Sequence, residues 1–280
     1  MRELDVTMIR DAVAEMVQEV NHTLSPDILR AISGAAGCER NERAAYILGK
    51  IEENIRIAGE EHIPLCQDTG LACVFLEVGQ EVALTGGYLY DAVNEGVRRG
   101  YTDGYLRKSV VADPLRRVNT GDNTPARIHV DIVPGDRVKI TVAPKGFGSE
   151  NMSRIQMFPP SAGEEGVKNF ILETVRLAGG NPCPPIVLGV GIGGTFDSVA
   201  LLAKKALLLP ADHRNEDPYY AAMEEELLEK INATGIGPQG FGGDTTALGI
   251  NILTAPTHIA GLPVAVNVNC HVSRHKEVIL

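Results

Sequence analysis

The chain has 280 residues, of which 44% are hydrophobic and 22% charged, and its formal net charge is −10. This composition suits a packed globular protein and excludes a disordered chain. No apolar run approaches the ~20 residues needed to cross a bilayer, and the N-terminus carries acids where a signal peptide has an apolar core. We therefore expect a cytoplasmic protein with no membrane partner and, given its acidic balance, no nucleic-acid partner.

The first half of the chain begins with helical patterns. Apolar residues recur at helical spacing over 6–20, Ser25 and Pro26 resemble a helix start, and a third helix is expected over 39–58. A strand is expected over 71–78 and a helix over 86–99. Alternating residues over 126–133 and 137–142, joined by a Pro-Gly-Asp turn at 134–136, predict a β-hairpin.

The second half mixes helical and strand patterns. Helices are expected over 164–177, 196–209 and 217–232, and strands over 185–190, 248–253 and 263–268. These patterns predict an α+β (mixed α/β) fold, with a helical N-terminal region packed on a mixed-sheet region that carries the loops. We expect a single domain over 1–280, with 119–151 as the place where it would subdivide.

The five cysteines cannot all pair with one another, and a reducing cytoplasm disfavours disulfides. Cys66, Cys183 and Cys270 lie among proline and small polar residues, in Pro-Leu-Cys-Gln-Asp-Thr-Gly, Asn-Pro-Cys-Pro-Pro and Asn-Val-Asn-Cys-His. A stiff, polar setting is typical of a metal-binding thiolate, although the spacings match no zinc-ribbon or ferredoxin pattern. Cys38 and Cys73 are interpreted as packing residues, the ordinary role of a cytosolic cysteine.

Three thiolates without a fourth have a chemical consequence. A cubane cluster has four irons, so three protein ligands leave one iron open to water or to a substrate oxygen. That iron can act as a Lewis acid rather than as an electron carrier.

Two glycine-rich segments are further candidates. The run Gly189-Val-Gly-Ile-Gly-Gly194 fits G-x-G-x-x-G between a strand and a helix, which makes a nucleotide-linked oxidoreductase an alternative. The acidic residue expected after a second strand is missing, so a tight turn or an anion site at a helix N-terminus explains the motif as well. The second segment, Gly-Pro-Gln-Gly-Phe-Gly-Gly at 237–243, is able to approach a ligand or cluster closely.

Several polar residues lie in unusual places. Asp68 comes two residues after Cys66, Arg107 follows Tyr-Leu, Lys145 opens a glycine-rich loop, and His258 lies between two predicted strands. Each alone is compatible with a solvated side chain. Together with a Lewis-acidic metal, cationic residues suit a dicarboxylate substrate, because arginine binds a carboxylate through two hydrogen bonds.

These segments, taken together and in order over nearly the whole chain, resemble the iron–sulfur hydro-lyases. This is the family of class I fumarases and L-tartrate dehydratases. The resemblance is carried by Cys66-Gln-Asp-Thr-Gly, Lys145-Gly-x-Gly-Ser-Glu-Asn, Gly191-Ile-Gly-Gly, Gly237-Pro-x-Gly-x-Gly-Gly and Cys270-His, with Cys183 between them.

The resemblance implies a set of site residues. A [4Fe–4S] cluster would be held by Cys66, Cys183 and Cys270. The substrate-binding residues would be Gln67, Asp68, Arg107, Gly148 and His258, of which Asp68 and His258 would also be catalytic and Arg107 would bind a carboxylate.

The resemblance also implies an activity and a partner. The activity would be reversible hydration of fumarate to malate, a tricarboxylic acid cycle reaction, with dehydration of L-tartrate to oxaloacetate as the alternative. Single-chain members of the family continue for about as long again, whereas this sequence stops ten residues after Cys270. The chain would therefore be the α subunit of a hetero-oligomer. A β-type subunit would complete the active site and supply the general base.

Overall fold

The computed structural model describes all of residues 1–280. Its helices, apart from two short 3-10 turns, are α1 (Val6–His22), α2 (Pro26–Cys38), α3 (Glu42–Glu61), α4 (Leu89–Asp103), α5 (Phe147–Glu150), α6 (Gly163–Ala178), α7 (Phe196–Ala206) and α8 (Pro218–Asn232). Its strands are β1 (Arg2–Asp5), β2 (Leu71–Gly79), β3 (Val82–Thr85), β4 (Arg127–Val133), β5 (Val138–Lys145), β6 (Arg154–Phe158), β7 (Ile186–Gly194), β8 (Ala247–Thr257), β9 (Leu262–Asn269) and β10 (Lys276–Ile279). The predicted α+β class is confirmed.

Local sequence signals explain most helix starts. Asp5 caps α1 by accepting a hydrogen bond from the Thr7 amide at 2.8 Å, and Pro26 opens α2 as predicted. Asp217 caps α8 in the same way, through the Tyr219 amide at 2.9 Å. In each case the cap or the proline satisfies or removes an N–H group that the helix itself leaves unpaired.

The chain divides into two compact units that are not continuous in sequence. The first unit consists of Met1–Ser25, Ile55–Phe147 and Arg274–Leu280, and the second consists of Pro26–Asn54 and Gly148–Ser273. The chain passes from the first unit to the second at Phe147–Gly148, which lies inside the stretch 119–151 named above as the place of a subdivision. The prediction of one domain over 1–280 stays a prediction.

The first unit contains a four-stranded sheet in the order β10-β5-β2-β4 and a parallel pair, β1 with β3. Its core lies between the sheet and helices α1 and α4, and its fully buried side chains include Ile9, Val13, Val93, Val97 and Tyr101. Burying these apolar faces is the main force that fixes the unit.

The predicted hairpin of β4 and β5 is wrong. β2 lies between the two strands, pairing parallel with β4 (Cys73 opposite Arg127) and antiparallel with β5 (Leu71 opposite Lys145). β2 is almost continuously buried, and such a run needs neighbours on both edges. The turn at 134–136 instead contacts the end of β2, where a Cβ on Gly79 would lie 2.4 Å from the oxygen of Gly135.

The second unit is built on a sheet in the order β6-β9-β7-β8. Its central strand, β7, pairs parallel with β8 and antiparallel with β9, and it is buried along almost its whole length. Helices α6 and α8 contribute Ile171, Val175, Leu227 and Ile231 to the core on this sheet.

The G-x-G-x-x-G run lies within β7 rather than in a turn. A Cβ on Gly189 would lie 2.2 Å from the oxygen of Ala203, and one on Gly191 would lie 2.5 Å from the oxygen of Val199. Both oxygens belong to α7, so these glycines let a helix backbone pack directly on a strand. The structure therefore gives the motif a packing role, unlike the turn glycines of a dinucleotide-binding fold.

None of the helices combines the length and the apolar character that a membrane span requires.

Candidate active site

The first unit carries Cys66 in a compact turn, residues 66–70, between α3 and β2. The turn is anchored by Leu65, which is buried and whose amide donates to the oxygen of Asn21 at 2.8 Å. The amide of Asp68 donates to Cys66 Sγ at 3.4 Å. This contact helps fix the direction of the Cys66 side chain within the turn.

Asp68 holds the turn with both of its carboxylate oxygens. Oδ1 accepts from the Gly70 amide at 3.0 Å, and Oδ2 accepts from the Phe147 amide at 2.9 Å. Its own carbonyl oxygen accepts from Arg274 Nη2 at 2.8 Å. Asp68 therefore ties the end of the Lys145–Gly146–Phe147 segment to the cysteine turn, and each oxygen keeps a lone pair for a further donor.

Arg107 lies beside the same turn. The hydroxyl of Thr69 accepts from the Arg107 amide at 3.0 Å and donates to the Arg107 oxygen at 3.2 Å. The side chains of Arg107 and Gln67 are both exposed, whereas Thr69 is buried. The structure thus brings together four predicted residues, Cys66, Gln67, Asp68 and Arg107, and leaves a guanidinium and an amide accessible to a ligand.

Two buried side chains fasten the far end of the turn. The hydroxyl of Tyr101 lies 2.8 Å from the oxygen of Thr69 and 3.0 Å from that of Gly70, and Asn123 Nδ2 donates to the Gly70 oxygen at 3.2 Å. Burial raises the pKa of Tyr101, so its hydroxyl keeps the proton that it donates. These residues and Arg274 are functional supports that the sequence did not indicate.

The second unit carries Cys183 in a turn, residues 179–185, that leads into β7. Cys183 is exposed between the buried prolines Pro182 and Pro184. Its φ is 56°, a value that side-chain-bearing residues seldom adopt, and its amide donates to the oxygen of Gly180 at 3.1 Å. The turn therefore presents the thiol at the surface.

Cys270 is brought to this turn by strand pairing. Val187 near the start of β7 lies opposite Asn269 at the end of β9, because the two strands are antiparallel. The segments just outside the paired strands are in contact. The amide of His271 donates to the Cys183 oxygen at 3.4 Å, and His271 Nδ1 lies 3.0 Å from the same oxygen. The second unit thus places Cys183 and Cys270 at one end of its sheet.

Gly148 lies against the same turn. It is exposed, and a Cβ added to it would meet only the oxygen of Asn181, at 3.8 Å. It belongs to α5, whose Glu150 accepts from Lys204 at 2.7 Å and from Asn267 at 2.6 Å. These two contacts fix α5 on β9 and α7, which sets the position of Gly148.

His258 is not brought to the two cysteines of its unit. It is exposed in the turn between β8 and β9, where its Nδ1 accepts from the Ala260 amide at 3.2 Å. The eight residues of β9 separate this turn from Cys270, a length of about 25 Å. Its assignment to a substrate pocket stays a prediction.

The two cysteines interpreted as packing residues differ from each other. Cys73 is buried in β2 as predicted, whereas Cys38 is exposed at the last position of α2, so packing does not explain it. None of the five cysteines forms a disulfide.

The thiol chemistry in each unit suits a soft metal centre. No three His, Cys, Asp or Glu side chains converge as the ligands of one ion would. Within the second unit, Cys183 has an accessible thiol and Cys270 lies near it, and the first unit carries Cys66; thiols are the kind of ligand that iron–sulfur clusters take.

Comparison with known proteins gives a consistent family. Residues 10–279 match the model of the family described as fumarate hydratase (Fumerase). The chain is 44% identical over 272 residues to a Methanocaldococcus jannaschii protein named "Putative L(+)-tartrate dehydratase subunit alpha", with 95% of each chain covered. It is 32% identical to the L(+)-tartrate dehydratase subunit alpha of Escherichia coli strain UTI89, over 96% of this chain and 89% of that one. It is 30% identical to the protein of the same name from Shigella boydii, with 98% and 91% covered.

Proposed function

Because the chain belongs to the fumarate hydratase (Fumerase) family, we propose that it is the α subunit of a two-subunit hydro-lyase that removes water from L-tartrate. The names of the relatives support tartrate, and they reverse the order of substrates expected from the sequence. Hydration of fumarate to malate is the second candidate, favoured by the description of the family itself. The relatives' designation as subunit alpha supports a β-type partner.

The proposal rests on one observation: Cys183 and Cys270 lie in neighbouring segments at one end of the second unit's sheet. We assign these two thiolates and Cys66 as the ligands of a [4Fe–4S] cluster. When bound, such a cluster supplies a Lewis-acidic iron that polarises the departing hydroxyl group.

The chain's own residues bind and orient the substrate. Arg107 presents an exposed guanidinium beside the 66–70 turn, where it can bind one carboxylate of a four-carbon diacid through two hydrogen bonds. The amide of Gln67, exposed on the same turn, can donate to a second oxygen of the substrate. Holding both groups together, Gln67 on the turn and Arg107 hydrogen-bonded to it through Thr69, lowers the entropy cost of orienting the substrate.

The carboxylate of Asp68 has a different role. Each of its oxygens already accepts one main-chain N–H, so the carboxylate is held in the turn and is placed to receive a hydrogen bond from a substrate hydroxyl rather than to abstract a proton. The proton on the carbon next to the leaving hydroxyl is therefore assigned to a base on the β-type chain.

Co-expression with the β-type chain tests the proposal. The purified pair, reconstituted anaerobically with iron and sulfide, is assayed for oxaloacetate from L-tartrate and for interconversion of fumarate and malate. We expect a higher kcat/KM for tartrate than for malate. A higher value for malate would select the second candidate, and activity on neither diacid would refute the hydro-lyase function.

Two exposed cysteines provide a matched pair of variants. Cys183→Ala should lose the cluster and the activity, whereas Cys38→Ala should keep both, because Cys38 lies at the end of α2 outside the site. A Cys183→Ala enzyme with a full, stable cluster would disprove the ligand assignment.

A further inference from the structure

A strained glutamine lies in the second glycine-rich segment. Gln239, in the 3-10 turn Pro238–Gly240, has φ 53° and ψ 17°, in the left-handed region that favours glycine. The nearby glycines Gly237, Gly240 and Gly242 also have positive φ, and a Cβ on Gly237 would lie 2.1 Å from the carbonyl carbon of Gly242. A side chain kept at such a position makes contacts that offset the strain.

Those contacts all go to the two cysteine segments of the second unit. The Gln239 amide donates to the Pro184 oxygen at 2.7 Å, and its side-chain Nε2 donates to the same oxygen at 2.9 Å. Nε2 also lies 3.2 Å from His271 Nδ1. One side chain therefore touches the residue after Cys183 and the residue after Cys270.

The tautomer of His271 decides which hydrogen bond Nδ1 makes, whereas the main-chain bond from the His271 amide to the Cys183 oxygen is present in both neutral forms. With Nδ1 unprotonated, the imidazole accepts the second hydrogen of the Gln239 amide group; with Nδ1 protonated, it donates to the Cys183 oxygen 3.0 Å away. In both forms His271 is bound to the 179–185 turn.

Backbone packing and a polar anchor make the loop a rigid support. A Cβ on Gly240 would lie 2.7 Å from Gly180 Cα, so the loop and the cysteine turn touch directly. At the loop's other end, Glu39 accepts from the amides of Asp244 at 3.0 Å and Thr245 at 3.2 Å. Arg40 adds two hydrogen bonds to the Asp244 carboxylate, at 2.7 and 2.8 Å.

We infer that Gln239 is a positioning residue that fixes the Cys183 and Cys270 segments relative to each other and thereby sets how firmly the cluster is retained. The inference rests on the proposed function, since the cluster is part of that proposal. The physical reason is general: partners that orient metal ligands commonly change metal affinity by about 10–100-fold when they are removed.

Two variants separate positioning from simple folding. Gln239→Glu keeps the shape of the side chain, but it removes both donors and turns a carboxylate toward the Pro184 oxygen. Gln239→Gly removes the side chain, while glycine adopts this φ without strain, so the thermal midpoint of the apo chain should stay close to that of the wild type. Gln156→Glu, on the exposed strand β6, is the matched control.

The first measurement needs no cluster. Hydrogen exchange of the apo full-length chain should be faster in both Gln239 variants for the peptides that contain Cys183 and Cys270–His271, and unchanged elsewhere and in the control. Unchanged exchange in these peptides would overturn the inference, whatever the iron content.

The second measurement follows cluster loss. After anaerobic reconstitution, the visible absorption of the cluster should decay to an Fe(II) chelator about tenfold faster or more in both variants than in wild type. Equal decay rates would overturn the inference. Faster exchange in the apo variants together with a wild-type chain that takes up no iron would instead refute the cofactor proposal and leave Gln239 as the support of the two segments.

Discussion

The hydroxyl of Tyr101 lies 2.8 Å from the carbonyl oxygen of Thr69, and both residues are buried. This bond links α4 to the turn that carries Cys66, across 32 positions of sequence. The arrangement of the first unit's site therefore depends on helix packing as much as on the turn's own sequence.

Replacing Tyr101 by Phe tests that dependence. The change keeps the ring but leaves the Thr69 oxygen without its donor, and an unsatisfied buried acceptor costs about 1–3 kcal/mol. We expect a loss of that size in the free energy of unfolding of the apo chain, measured by urea denaturation. Tyr105→Phe, at a residue that is 91% exposed, should change nothing; an equal loss there would contradict the explanation.

The lowered pKa of Asp122 predicts that the free energy of unfolding depends on pH. Burial alone would raise the pKa of Asp122, but hydrogen bonds from Thr124 and Arg98 lower it to about 2. The unfolded value is about 3.9, so the charged form stabilises the fold above that pH, and this contribution is lost as the pH falls toward about 2. Asp122 directly precedes Asn123, which holds the Gly70 oxygen.

Urea denaturation at several pH values checks this. Asp122→Asn should be less stable than wild type at neutral pH, and the difference should shrink below about pH 4. Asp136→Asn, at an exposed position of the same unit, is the control. A difference that stays constant down to pH 2 would show that the carboxylate's charge is not what stabilises the loop.

Gly189 predicts a steric effect in β7. Alanine there would place its Cβ 2.2 Å from the oxygen of Ala203, a contact that α7 must move to relieve. We expect destabilisation of about 3 kcal/mol or failure to fold, because overpacking a rigid core typically costs 1–3 kcal/mol. Gly34→Ala, in α2 with no atom within 4 Å of the added Cβ, should be neutral or stabilising. Equal stability of the two variants would refute the close helix–strand contact.

The environment of Arg274 leads us to expect that replacing it changes the stability of the apo chain and the activity of the enzyme in opposite directions. It is 5% exposed and makes no ion pair; Nη2 donates to the Asp68 oxygen, and Nε has no hydrogen-bond partner. Because an unpaired buried charge is costly, Arg274→Met should leave the apo chain as stable as wild type or more so. The reconstituted enzyme should lose activity about tenfold or more, since the main chain at Asp68 loses the donor that helps to position it.

The control is Arg116→Met, at an exposed arginine of the same unit, which should alter neither quantity. Marked destabilisation of Arg274→Met without loss of specific activity would give Arg274 a purely structural role.

The sequence predicted local elements well and non-local contacts poorly. Caps and periodicity located α1, α2 and α8. The insertion of β2 between β4 and β5 was missed, because residues of β2 pair with residues of β4 that lie 54 positions away (Cys73 with Arg127, 127 − 73 = 54), and no local pattern reports such a contact. The cysteine motifs were visible in the sequence. The roles of Tyr101, Asn123 and Gln239 were not, because their partners lie between 32 and 55 positions away and their residue types are common in other roles.

The chain's passage between units at Ser273–Arg274 has a consequence for synthesis. The second unit is complete once residue 273 has been made, whereas the first lacks Arg274 and its edge strand β10 until residues 274–280 follow. Since chains emerge from the N-terminus, the sheet end with Cys183 and Cys270 can form while the turn of Cys66 is still without one of its supports. In the order of synthesis, the Cys183 and Cys270 segments of the second unit thus precede the last support of the Cys66 turn.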